Sequence, residues 1–159
     1  MIRHAIALAC LAIPAAAQEV ADMAPRDGWV VMPTAKDFAT LEADARDAAQ
    51  AGGMAVVTRA GPTEAAAGRG IEIPGNRVIG LFNNDFAVRM LRLSTPAMIE
   101  APVRLYVTGN ADGTATLSYV PPSERFAPYA DGAADPDAFA ALTAEMDAAF
   151  EAVAAAAVE

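Results

Sequence analysis

Residues 76–119 read NRVIGLFNNDFAVRMLRLSTPAMIEAPVRLYVTGNADGTATLSY, and the alternation within them decides the fold. Val78-Ile79-Gly80-Leu81-Phe82 is a continuous apolar run, the pattern of a strand that is central in a sheet or covered on both faces. Gly80 leaves room there for another backbone or side chain to come close. Asn83-Asn84-Asp85 follows, and Asn84 or Asp85 can cap a helix through Leu93. Phe86, Met90 and Leu93 share one face of that helix, and Arg89 and Arg92 share another. Asp85 and Arg89 stand at the i,i+4 spacing of a surface ion pair. Pro102 opens the next strand, in which Val103, Leu105 and Val107 point one way and Arg104, Tyr106 and Thr108 the other. After a turn at Asn110-Ala111-Asp112-Gly113, Ala115, Leu117 and Tyr119 alternate with Thr116 and Ser118. With the apolar sets against helices, the opposite sheet face carries Arg104, Tyr106, Thr116 and Ser118.

Working outward, Trp29 to Met32 reads as a short strand stopped by Pro33. Thr34 is the expected N-cap of the next helix, with Asp37 completing a short capping box. Phe38, Leu41, Ala45 and Ala48 or Ala49 recur at helical spacing, Lys36, Glu42, Arg46, Asp47 and Gln50 fill the polar positions, and Gly52-Gly53 ends the helix. Met54 to Thr58 is a second strand, and Pro62 to Ala67 a short helix closed by Gly68. Downstream, Pro121-Pro122 ends the ladder, Ser123 to Ala130 makes a short helical turn, and residues 131–136 are a linker. A long helix then starts at Asp135 or Asp137. Its buried stripe is Phe139, Leu142, Met146, Ala149 or Phe150, and Val153, and its last alanines are expected to fray.

The 159 residues suit one domain. Residues 1–17 have the form of a signal peptide: Arg3-His4, an apolar run from Ala5 to Ala16, and small residues at 15–17 ahead of Gln18. Residues 18–27 then form a flexible arm and residues 28–159 a single α+β domain. The alanine-rich composition and this leader point to a bacterial periplasmic or secreted protein, with no transmembrane segment after cleavage near Ala17/Gln18. The only histidine and the only cysteine, His4 and Cys10, lie in the leader. Its removal excludes disulfides within the chain, thiolate nucleophiles, Ser-His-Asp triads, covalent haem and ordinary zinc sites. No cofactor or metal is expected, and the scattered methionines, Met90 and Met98 among them, read as core filler rather than a Cu(I) site.

Losing Arg3 leaves ten basic against twenty acidic side chains. That balance argues against nucleic acid as a partner. The charge is uneven. Residues 59–108 hold six arginines against Glu64, Glu72, Asp85 and Glu100, whereas residues 109–159 hold nine acids against Arg125. A solvated acidic C-terminal helix explains this, and so does a local cationic patch for an anionic ligand.

Phe82 with Asn84, Leu91, Pro102-Val103-Arg104, Asp112-Gly113, and Ser118-Tyr119 before Pro121-Pro122 resemble the domain of unknown function 302 family across most of residues 54–128. In that family these regions look like an FGNP segment, a D-L-P-L-K-V strand, a D-G turn and an S-Y-x-x-P ending. The resemblance implies a TATA-binding-protein-like fold: one curved, antiparallel-rich sheet in β-α-β4-α order with the C-terminal helix on one face. It implies no activity. Family members often carry a histidine near the short helix, where this chain reads Arg59-Ala60-Gly61-Pro62, and the Gly and Pro of FGNP are here Asn83 and Asp85. A metal or proton role for that histidine is closed to this chain.

The sequence therefore predicts a periplasmic or secreted, non-catalytic binding or accessory protein for a small anionic or apolar ligand. Its contacts would be Asn83, Asn84, Arg104, Tyr106, Thr116 and Ser118, with no catalytic residues. A homodimer or an envelope-docking module using the same face is the alternative. A carboxylate-only enzyme ranks below both, since pairs such as Asp85 with Glu100 have no spacing that argues for acid-base work.

Overall fold

The computed structural model describes residues 20–159; the expected signal peptide and cleavage point, with His4 and Cys10, lie outside them. The chain runs β1 (Val30–Thr34), α1 (Phe38–Ala51), β2 (Ala55–Ala60), α2 (Thr63–Ala67), β3 (Asn76–Phe82), α3 (Asn84–Leu93), β4 (Val103–Gly109), β5 (Ala115–Tyr119), α4 (Pro122–Phe126) and α5 (Pro136–Val158), with 3-10 turns at Pro96–Glu100 and Ala127–Gly132. The strands form one five-stranded antiparallel sheet, ordered β1-β5-β4-β3-β2. Its first strand and helix precede four strands and the long last helix, as the α+β reading requires. Among the described residues no helix is long and apolar enough to cross a membrane.

The strand alternation sorts the sheet's two faces. Leu117, Val107, Leu105 and Ile79 are fully buried, and they pack with Leu41, Ala45 and Ala49 of α1 and Phe139, Leu142, Phe150 and Val153 of α5. Each fully buried aliphatic side chain contributes about 1.5–3 kcal/mol of transfer free energy, so this face fixes the register. Tyr119 joins the same layer, its ring 6.0 Å from that of Phe150. The α1 and α5 helices lie close because alanines line their groove, and a Cβ on Gly52 would sit 2.9 Å from Val153 Cγ2.

Several local expectations shift. Pro33 does not stop β1, which continues to Thr34. An edge strand tolerates the missing N–H, and β1 is an edge. Thr34 is then engaged by the sheet, donating to the Ala115 carbonyl at 2.9 Å, and Asp37 caps α1 by accepting from Thr40 N at 2.8 Å. The cap of α3 is Asn83 rather than Asn84 or Asp85, with Oδ1 accepting from Asp85 N and Phe86 N. Arg89 pairs with Glu145 of α5 at 2.6 Å in place of Asp85. The last alanines of α5 do not fray: Ala154 and Ala157 are fully buried, and Lys36 Nζ donates to the Ala157 carbonyl at 2.8 Å, a cation on an otherwise open helix end. Gly80 meets its expectation, since a Cβ there would lie 2.1 Å from Thr58 Oγ1 and 2.9 Å from Pro102 Cγ.

Candidate ligand-binding cleft

Residues 20–23 of the arm and Arg125 of α4 flank the second sheet face. The ladder pairs Val31 with Ser118, Ser118 with Tyr106, and Tyr106 with Val78, so these side chains form one row across the face. The next row holds Arg104 opposite Gly80. Trp29, just before β1, and Val120, just after β5, extend that row. Together with Arg125 from α4 they line a cleft of about 360 Å³ whose walls are Trp29, Asn76, Val78, Arg104, Tyr106, Tyr119, Val120 and Arg125. Among the described residues, no carboxylate belongs to this wall.

The hydrogen bonds leave the cationic ends available. Asn76 Nδ2 donates to the Tyr106 hydroxyl and fixes both side chains. Arg125 has Glu100 as its nearest acid at 3.7 Å, beyond hydrogen-bond reach. The other oxygen of Glu100 accepts from the Tyr129 hydroxyl at 2.8 Å, which raises the pKa of that hydroxyl. Arg104 is exposed and has no ion pair among the described residues. At the rim, the Arg26 guanidinium lies over the Trp29 ring at 4.8 Å, a cation–π contact. Residues 20–23 of the arm run alongside, lining a smaller pocket with Asn76, Tyr106 and Thr108, and Asp22 Oδ1 accepts from Ala111 N at 2.8 Å.

Of the six residues singled out in the sequence, Arg104 and Tyr106 meet in this cleft. Thr116 and Ser118 lie on the same face but are buried, at 2% and 0% exposure. Thr116 Oγ1 donates to Asn110 Oδ1 at 3.1 Å, and the Ser118 hydroxyl has no partner among the described residues. Asn83 and Asn84 stand apart from the cleft, because β3 ends at Phe82 and α3 turns back over the helix layer. Asn83 serves α3 as its cap, and its amide also donates to the Gly53 carbonyl at 3.2 Å. Asn83→Ala is accordingly expected to cost about 1 kcal/mol of stability and Asn84→Ala almost nothing, with neither altering ligand binding; paired urea melts and titrations check both. Trp29, Arg125 and Arg26 escaped the sequence reading. Trp29 continues the alternation of Val31, but only the β1-β5-β4 order sets it beside Arg104.

Two further clusters lie in the helix layer. Glu42 of α1 is 6% exposed and Arg77 of β3 is 5% exposed. Glu42 accepts a hydrogen bond from Arg59 Nε, and Arg77 Nε stands 3.3 Å from the same oxygen but off hydrogen-bond geometry. Arg77 also bonds Glu64. Burial works to raise the Glu42 pKa, and the hydrogen bond and charge of Arg59, with the charges of Arg77 and Arg46, overcome it and hold the carboxyl below its ordinary value. The second cluster is an apolar cavity of about 30 Å³ lined by Met54, Met90, Met98 and Met146 with Phe82, Phe86, Phe126 and Phe150. That is room for one water-sized group and no more.

Comparison with known proteins adds the following. The family model described as domain of unknown function DUF302 matches residues 30–153. The crystal structure of an uncharacterized conserved DUF302 protein from Bacillus stearothermophilus is similar in fold, with a TM-score of 0.68 at 14% identity, covering 83% of this chain and 99% of that one. Comparison with curated proteins gives no match.

Proposed function

The chain belongs to the DUF302 family, a domain of unknown function, and on that premise we propose that it is a secreted or periplasmic binding protein that holds a small anionic ligand on its open sheet face without transforming it. One observation carries the reading. In a protein of net charge −9, the cleft that joins Arg104, Arg125, Trp29 and Tyr106 has no acid in its wall among the described residues. A concave site with an apolar floor and a few convergent polar groups is the usual form of a small-molecule site. The Arg104 guanidinium, with no ion pair among the described residues, supplies the charge complementarity. The sheet itself we take to be the curved, TATA-binding-protein-like arrangement, which the strand–helix–four strands–helix order supports; superposition on that fold with the strand order preserved tests it.

Native mass spectrometry of the chain purified from periplasm is the test. A chain beginning at Gln18 with a retained small anion is the expected result, and Arg104→Gln should release that anion. An intact leader would defeat the compartment assignment, and retention unaffected by Arg104→Gln would defeat the site. A second reading, a homodimer or envelope-docking surface on the same face, draws on the Trp29, Arg104 and Tyr106 group, residue types enriched at interfaces. A doubled native mass without ligand would select it.

A further inference from the structure

We infer that the sheet-face cleft is shaped for an aromatic carboxylate, an organic acid whose flat ring lies on the Trp29–Val78–Val120 floor while its carboxylate meets Arg104. This rests on the reading of the cleft as an anion site and names the ligand class. Four observations lead there.

The first is charge. Arg104 brings one unpaired cation, and Arg125 brings a second that Glu100 partly neutralises from 3.7 Å. Arg26, over the Trp29 ring at the rim, adds a further cation, so the charge selects an anion and the choice among anions falls to the shape of the site. The second is geometry. A guanidinium is planar and presents paired N–H donors that match a carboxylate two to two. The third is the apolar wall. Trp29, Val78, Tyr106 and Val120 stand beside these cations. A small inorganic anion would leave them in water, whereas a ring would cover them and gain aromatic contact with Trp29 and Tyr106 beyond area alone. The fourth is depth. The cleft offers about 360 Å³ at the surface, while the apolar cavity of the helix layer holds about 30 Å³. An acyl chain would find no tunnel into the core, so a fatty acid fits less well than a flat body.

Trp29 is the sole tryptophan of the chain and lines the cleft, so its indole N–H is a single NMR resonance that reports on it. The experiment titrates the leaderless chain with naphthoate, naphthylmethanol, decanoate, acetate and inorganic phosphate, following that resonance. Naphthoate should shift it and bind at least tenfold more tightly than naphthylmethanol, decanoate, acetate or phosphate. Arg104→Gln should weaken naphthoate at least tenfold while leaving amide dispersion unchanged, since Arg104 is exposed. Naphthylmethanol binding as well as naphthoate, or naphthoate binding unaltered by Arg104→Gln, overturns the inference. Tighter binding of decanoate, acetate or phosphate at the same resonance overturns the aromatic class but preserves the anion cleft. No shift with any anion overturns both.

Discussion

Glu42→Gln is expected to lower the stability of the fold by about 3 kcal/mol, the lower end of the range for removing one partner of a buried ion pair. Glu42 sits beneath α1 with Arg59 bonded to it and Arg77 at 3.3 Å. A neutral amide would leave the buried Arg77 with only Glu64, whose side chain is 66% exposed. Arg77→Met should cost much less, because Glu42 would keep the Arg59 hydrogen bond and the nearby charge of Arg46. That asymmetry distinguishes an unpaired buried cation from simple loss of packing. The pH dependence has a definite sign. Burial raises the carboxyl, yet the arginines bring its folded pKa below the ordinary glutamate value, so the unfolded chain binds the proton more readily. The stabilisation is complete above roughly pH 4.5 and is lost as pH falls from there through the folded pKa. Urea midpoints should therefore separate wild type from Glu42→Gln at neutral pH and converge on acidification; a gap that holds constant into acid would remove the charge from the explanation.

That cluster also marks where the sequence is legible and where it is not. Period-two alternation in 103–119 and the 3.6-residue stripes of 38–49 and 139–153 each describe one element's own buried face. Such local patterns survive folding because burial of those faces dominates the energetics. Gly80 is legible for the same reason, as the position in an apolar strand where Thr58 and Pro102 close in. Glu42 is not: by spacing it falls among the polar positions of α1, and only arginines arriving from β2 and β3 make its burial tolerable. The arginine surplus of 59–108 scatters: Arg59 and Arg77 lie in the helix layer, Arg89 pairs with Glu145 on the helix surface, and Arg104 stands on the second sheet face. Charge counts along the chain cannot reveal such a scatter. The cleft has the same character. Arg104 and Tyr106 follow from alternation within β4, whereas Trp29 and Arg125 join them through strand order and the path of α4. Asn83 and Asn84 sit where an apolar strand ends and a helix starts, and the backbone N–H groups of Asp85 and Phe86 take the Asn83 side chain.

Met90→Ala should be the most damaging of the single core truncations around the methionine cavity, at about 2–5 kcal/mol. Met90 is 1% exposed, and it faces a void of about 30 Å³ shared with Met54, Met98 and Met146. Truncation would enlarge a space that already exists, and the rings of Phe82, Phe86, Phe126 and Phe150 that line it cannot all move inward without leaving their other contacts. The cost therefore lies toward the upper half of the range, whereas Met90→Leu, nearly volume-conserving, should cost less than about 1.5 kcal/mol. The enlarged cavity would be dry and apolar, the kind of space that accepts benzene or xenon. Benzene should then raise the melting temperature of Met90→Ala and leave wild type unmoved. That contrast bears on where a natural ligand sits. If wild type were itself stabilised by benzene, the interior pocket would already be a competent apolar site, and the weight placed on the open face would shift inward. If only the truncated protein responds, the methionines are packing. A ligand must then use the surface that Arg104 and Trp29 share.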